Sequence, residues 1–350
     1  MRRIAATILG FLAVCFVLTA WLNYDRPDIS TLLPATVSKT TVNDTQNGLH
    51  VTFLGTSTVL LDDGETQLLT DGFFTRPSLL SLLGEISPDR QVVEDALLQY
   101  GINETLAAVI PVHSHHDHAL DSALVAQLTG ATLLGSESSA MLARGEGLDK
   151  RQIRVAETKQ PYQFGNFSVT LIESGHVPMP NAIAGWIGLG EDIEKPVSPP
   201  AKLGDYHQGI AYSVLIEHPE ARLLIQGSAG FKTDQFTHFQ PDGPVDIVLL
   251  GIAGLSKQSD DYRAQYWREM VETIGAITIA PIHWDDFTQP LSADLIALPS
   301  LVDDLSATLE DIQAALKPEQ SMLYMQPTQR HSIKDLLSPT KQAPTSNTSQ

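Results

Sequence analysis

The chain has 350 residues, with 41 Asp or Glu against 22 Lys or Arg for a net charge of −19, and 43% of it is hydrophobic and 18% charged. That mixture is globular rather than disordered, and its acidic balance argues against nucleic acid as a partner, because phosphate binding rewards clustered Lys and Arg. The single cysteine, Cys15, excludes an intramolecular disulfide framework and a cysteine-based zinc site, so any metal must be held by His, Asp or Glu.

Met1-Arg2-Arg3 precedes 19 uncharged residues, Ile4 to Leu22, which as a helix would extend about 28 Å, close to the thickness of a bilayer core. Residues 1–22 are therefore expected to be a transmembrane signal anchor or a cleaved signal peptide. Leu18 is a poor residue for processing after Ala20, which favours the anchor. The paired arginines keep the start in the cytoplasm and send the rest outward, to the periplasmic face. Residues 23–48 are polar, contain proline and lack periodicity, and are expected to form a linker.

A globular domain is expected over residues 49–330. Thr58–Leu61 and Gln67–Thr70 flank Asp62-Asp63-Gly64-Glu65, the composition of a β-hairpin. Helical spacing covers Val92–Gln99, and the short β-branched run Ala107–Val112 reads as a buried strand. Helices are then expected at Asp121–Leu128, Ser136–Ala143, Tyr262–Ile274 and Asp303–Leu316. Strands are expected at Thr132–Leu134, Val169–Ile172, Tyr212–Ile216, Leu223–Ile225, Ile247–Leu250 and Ala276–Ile282. Residues 331–350 are expected to be a disordered tail, most clearly the Ser, Thr, Pro and Asn-rich stretch from Ser338.

The densest chemistry lies just after the strand ending at Val112, in His113-Ser114-His115-His116-Asp117-His118. In an extended segment residues two apart project to the same side, so His113 and His115 aim at one point and can share a metal. If the chain then turns into a helix, Asp117 and His118 point to a second position nearby. Imidazole and carboxylate suit borderline divalent ions, zinc first, with iron or manganese as rivals. His116 is better explained by packing or exposure than by ligation.

This run resembles the HxHxDH motif of the metallo-β-lactamase superfamily, matched at His113, His115, Asp117 and His118. Further matches follow in the family's order: His176 in Glu173-Ser174-Gly175-His176 and His283 in Ala280-Pro281-Ile282-His283, each at a strand end. Thr52-Phe53-Leu54-Gly55 and Leu69-Thr70-Asp71-Gly72 look like the fold's opening hairpin and first acidic motif. The resemblance spans about Gly48 to Arg330. It implies an α/β fold, a four-layer αββα sandwich of two mixed sheets packed face to face, with the metals at one sheet edge. It also implies two Zn2+ ions, one bound by His113, His115 and His176, the other by Asp117, His118 and His283. Asp117 would in addition be catalytic, orienting a hydroxide drawn from water whose pKa a dication lowers toward about 7. Asp71 is expected to support a ligand histidine from behind, although turn chemistry before Gly72 explains it equally well.

One departure stands out. Where many members carry an aspartate bridging the metals, this chain has Ser228, in Gln226-Gly227-Ser228-Ala229-Gly230. A neutral hydroxyl is a poor ligand, so the second ion loses a carboxylate, and a single-metal site is the competing reading. The centre would carry net positive charge and welcome an anionic substrate. His207, in the loop before Tyr212, could reach substrate, and Trp284, Asp285 and Asp286 could line the mouth. Asp121, three residues after His118, could orient a ligand, but a helix N-cap explains it at least as well, and no role is assigned to it.

The resemblance implies a metal-dependent hydrolase acting on an ester, lactone or phosphodiester in a small, anionic molecule; the N-terminal run adds that it is exported and membrane-tethered, which favours a lipid-like substrate. His118-Ala119-Leu120-Asp121 and Pro281-Ile282-His283-Trp284 look closest to the lactonase and phospholipase-D-like branch. The alternatives are an iron-dependent oxidoreductase of the same fold, against which Ser228 counts, and a noncatalytic metal-binding protein.

Overall fold

The computed structural model describes residues 25–27, 29–32, 48–236, 243–292 and 294–337. The first strands are β1 (His50–Phe53), β2 (Val59–Asp62), β3 (Gln67–Thr70), β4 (Glu85–Ile86), β5 (Leu106–Ile110), β6 (Thr132–Gly135), β7 (Ile153–Val155) and β8 (Pro161–Phe164). There follow β9 (Phe167–Ser174), β10 (Ala201–Lys202), β11 (Ala211–His218), β12 (Ala221–Gln226), β13 (Ile247–Gly251), β14 (Thr278–Ile282), β15 (Ser321–Met322) and β16 (Arg330–Ser332). Two seven-stranded sheets result, ordered β16-β1-β2-β3-β5-β6-β7 and β15-β14-β13-β12-β11-β9-β8, with β4 and β10 forming a small separate pair. Each large sheet is mixed. The β1-β2-β3 meander is antiparallel and β3-β5-β6-β7 parallel, while β8-β9-β11-β12 is antiparallel and β12-β13-β14-β15 parallel.

Strand alternation assigns the layers. Val59, Leu61, Leu68, Ala108 and Ile110 face a core shared with Leu171, Val214 and Leu249 of the second sheet. Their neighbours Leu60, Leu69, Val109 and Leu133 face the other way, against Val93 and Leu97 of helix Arg90–Gln99 and Ala123, Leu124 and Ala126 of helix Ser122–Thr129. The parallel centre of the second sheet is apolar throughout, β13 being buried at all five positions, as strands covered on both faces must be. Local caps fix the helices: Asp89 accepts from the Gln91 and Val92 amides, Ser136 from Ser139 and Ser259 from Tyr262. In the opening hairpin Asp63 accepts from the Glu65 and Thr66 amides, and Gly64 takes the left-handed conformation the turn needs.

The αββα architecture and the order of the main strands and helices match expectation, and three expectations are corrected. The tail does not begin at 331. β16 pairs antiparallel with β1, and His331 and Ile333 are buried, so the sheet continues through residues whose polar composition gave no local sign of it. The linker is not free over its described part. Ile29 is buried in the inter-sheet core, Ser300 donates to the Asp25 carbonyl at 2.9 Å, and Arg26 pairs with Asp286 at 2.7 Å. The single helix expected at Tyr262–Ile274 is an α-helix over Asp260–Trp267 running into a wider π-type turn over Arg268–Glu272. Among the described residues no helix is long and apolar enough to cross a membrane; the expected span at 1–22 lies outside them, as does the tail from 338.

Candidate metal centre

The C-terminal ends of β3, β5, β9, β12 and β14 open onto one edge of the sandwich, and each is followed within a few residues by a polar group of the site. After β5 the chain bends through 112–115, and the His115 backbone (φ −61°, ψ 155°) starts a short helix over His116–Ala119. The amides of His118 and Ala119 donate to the His115 carbonyl. The bends bring His113 and His115 together, and the helical turn carries Asp117 and His118 to a second position.

His176 follows β9 on a turn packed backbone against backbone onto the turn after β12. A Cβ added at Gly230 would lie 2.3 Å from the His176 carbonyl carbon, and one at Gly175 2.4 Å from the Phe231 oxygen, so only glycine fits either place. Ser228 accepts the Val177 amide hydrogen at 3.1 Å, steadying the His176 turn from below. His283 leaves β14 with φ 55°, its amide donating to the Thr56 carbonyl at 2.7 Å.

Two groups result. His113, His115 and His176 present one ligand atom each within 4.8 Å of one another, and so do Asp117, His118 and His283. The first three rings stand 4.8, 4.9 and 5.1 Å apart between centroids, edge to face. The second group centres on Asp117, whose Oδ2 lies 3.5 Å from both His118 Nε2 and His283 Nε2. His113 and His118, with ring centroids 3.9 Å apart, set the groups side by side.

The outer ring nitrogens decide which inner ones are free. His176 Nδ1 donates to the Val177 carbonyl at 2.8 Å, leaving Nε2 as a lone pair. His115 Nε2 lies 3.1 Å from the Ile187 carbonyl and must be the donor, which turns its bare Nδ1 toward His113 Nε2 at 3.1 Å. His118 Nδ1 donates to Asp71 at 2.8 Å. Polarised imidazoles with inward lone pairs are what a divalent ion requires of its ligands. Burial pushes His113 and His115 well below their ordinary pKa and His176 down to about 4, so protons do not compete for those lone pairs. Burial would raise the Asp117 carboxyl, but His118, His283 and His116 around it hold it well below the usual carboxylate range. Burial likewise disfavours a charged His118, yet Asp117 and Asp71 leave its pKa raised.

Asp71 is fully buried at φ 53°, with Oδ2 on His118 and Ser57 and Oδ1 on the Val112 amide at 2.8 Å. His116 is packed, its ring edge-on to Phe73 and Phe287. His207 rests on the Gly188–Asp192 turn, with Nδ1 3.2 Å from the Asp192 carbonyl, and no contact joins it to either group. Asp121 does not cap its helix with its side chain. Its carboxylate accepts instead from the Phe74 and Thr75 amides and the Thr75 hydroxyl, pinning the chain after Asp71, because those donors had no other partner in that interior. Trp284 and Asp285 are buried rather than lining a mouth. Asp285 accepts the Thr56 amide and forms an ion pair with Arg76, both side chains being fully buried. Sequence reasoning missed Arg76 and Ser57. A lone arginine after Phe73-Phe74, with two aspartates following His283, was the available signal for the first; Ser57 offered none.

The layers, the shared strand-end edge and two adjoining groups of buried ligand atoms define an αββα sandwich with a candidate metal centre at its strand ends. The chain is 30% identical over 127 residues to a UPF0173 metal-dependent hydrolase of Heliobacterium modesticaldum, covering 36% of this chain and 46% of that one. The chain thus spans about half the length of that curated relative. Its fold is that of a metallo hydrolase from the archaeon Ignicoccus hospitalis, with 14% identity, a TM-score of 0.50 and coverage of 81% of this chain and 97% of that one. A metallo-β-lactamase fold protein from Bacillus subtilis is similar at 16% identity and TM-score 0.48 over 82% of this chain and 100% of the other. No family model matches the chain.

Proposed function

We propose that this chain is an exported, membrane-tethered, metal-dependent hydrolase that cuts an ester, lactone or phosphodiester bond in a small, anionic or lipid-like substrate. The observation that carries the reading is the pair of adjoining three-residue groups, each with its ligand atoms within 4.8 Å. His113, His115 and His176 would hold one ion, and Asp117, His118 and His283 a second, zinc being the first choice for such a donor set. Divalent ions there supply water acidic enough to yield hydroxide at neutral pH and an electrophile for the oxygen of the scissile bond. Asp117, ionised among imidazoles, accepts a hydrogen bond from the attacking water and orients it. Ser57 and Asp71 keep His118 in the productive tautomer, and the Ile187 carbonyl does the same for His115. His207, partly exposed against the Gly188–Asp192 turn, would meet substrate from the loop before β11. Export and tethering rest on Arg2, Arg3 and the uncharged run Ile4 to Leu22.

The test is the metal content of the full chain purified in detergent, with turnover of a panel holding a phosphodiester, a lactone and a β-lactam. Two zinc equivalents and a turnover abolished by His115→Ala are expected. Metal without turnover on any member, or turnover indifferent to His115, would overturn the hydrolase reading.

A further inference from the structure

The site's edge also carries large apolar side chains that nothing in the described chain covers. Leu79, Leu80 and Leu83 are 69, 80 and 76% exposed, while Leu82 among them is buried, so the turn is rooted by one leucine and holds three outward. Trp186 is 51% exposed and directly precedes Ile187, whose carbonyl holds His115. Leu301 and Val302, 59 and 52% exposed, follow Ser300, which bonds Asp25. Scattered exposed apolar residues are ordinary; six large ones on turns tied to the segments that follow the site's strands mark a contact surface.

The three places are physically joined. Arg76, three residues before Leu79, pairs with Asp285 and donates to the Asp286 carbonyl at 3.1 Å. Asp286 in turn holds Arg26, beside the Asp25–Ser300 bond. On the other side the β4–β10 pair links the Leu83 turn to Gly204, where an added Cβ would lie 3.0 Å from the Trp186 carbonyl oxygen.

What covers this rim follows from where the chain enters it. Asp25 is bonded to the rim, and the uncharged run ends at Leu22, three residues earlier. Three residues reach at most about 11 Å in any conformation. If that run is embedded, as the proposed function has it, the lipid surface lies within that reach of Asp25, which accepts from the residue before Leu301. Trp21 and Tyr24 stand at the junction, where aromatic residues favour the headgroup region. We propose that the apolar rim is a membrane-docking surface, seated in the outer leaflet of the same bilayer that the N-terminal run enters, with the mouth of the site open at headgroup level. This rests on the tether in the proposed function.

The experiment uses the full chain in phosphatidylcholine vesicles whose acyl chains carry bromine, a contact quencher, with bimane on one cysteine at a time. The native Cys15 reports the tether. Leu80→Cys and Leu301→Cys, each made in a Cys15→Ser background, report the rim. Leu98→Cys is the control; it is 84% exposed at the last turn of helix Arg90–Gln99, near Gly101, which bonds Gln67 where β3 begins on the opposite edge. Quenching at 80 and 301 at least twofold above that at 98 is expected. Quenching at 15 with 80 and 301 as bright as 98 would overturn docking while leaving the tether standing, including where those labels are shielded by a second copy of the chain. No quenching at 15 would remove both.

Discussion

Replacing Asp71 by asparagine keeps the shape of the side chain and removes one acceptor. In the parent, Oδ2 takes hydrogens from His118 Nδ1 and Ser57 at 2.8 and 2.5 Å while Oδ1 takes the Val112 amide hydrogen at 2.8 Å. Asparagine can serve one side only; turning its oxygen to His118 sets its NH2 against the Val112 N–H. A buried amide left without an acceptor costs about 1–3 kcal/mol, which should appear as a lowered melting temperature. Weakening the support behind a ligand imidazole typically costs about 10–100-fold in metal affinity. Because Asp71 touches His118 and no other imidazole of the six-residue set, the loss should fall mainly on the ion held by Asp117, His118 and His283. Competition with a chromophoric chelator that resolves two zinc equivalents measures this directly. Equal loss of both equivalents, or loss confined to the tighter His113, His115 and His176 group with the fold intact, would refute the assignment of Asp71 to His118.

Gly230→Ala should displace the His176 turn, since its Cβ would lie 2.3 Å from backbone; loss of one zinc equivalent in a chain that still folds by circular dichroism is expected, and full retention would show the two turns can separate. His116→Phe should leave metal content and turnover within about twofold, because that ring packs between Phe73 and Phe287 and holds no ligand position; zinc loss comparable to that in His115→Ala would make it a ligand. Asp121 supplies a pH test. Burial pushes its carboxyl from 3.8 up to about 6 in the folded chain. Its folded value lies above its unfolded one, so its stabilising contribution is present below about pH 4 and is lost as pH rises through 6, by about 3 kcal/mol. In urea titrations with chelator present, Asp121→Asn should therefore gain on the parent between pH 4 and 7; a constant difference across that range would count against the buried carboxylate.

The layers were legible because two periods are written plainly. Alternation in β2, β3 and β5 sends one set of side chains to the inter-sheet core and the other to the helices, and uninterrupted apolar runs mark β12 to β14. The grouping of His113 with His115 and of Asp117 with His118 was legible in their spacing, although residues 112–115 bend where an extended segment was expected. What escaped was held by long-range pairing that leaves no local trace. β16 is three residues whose partner lies some 280 positions away, and Arg26 finds Asp286 across 260. Asp121 looked like a cap because it precedes a helix, yet the Phe74 and Thr75 amides compete for its oxygens and win. Whether Asp71 backs His118 or only shapes a turn was open in sequence; in the fold it bonds His118 and sits in the turn before Gly72.

Asp71 and His283 share a further property. Each lies just beyond a strand end with its backbone in the left-handed region, at φ 53° and 55°, as does Thr56 between them in space at φ 51°. Side chains with a Cβ meet a penalty of about 1–2 kcal/mol there. At His283 drift toward glycine would relieve that penalty while removing a side chain of the site, whereas at Asp71 the bonds from His118, Ser57 and the Val112 amide offset it. His283 is thus where selection for a relaxed backbone and selection for chemistry oppose each other, and keeping it in place needs continued selection on what the site does.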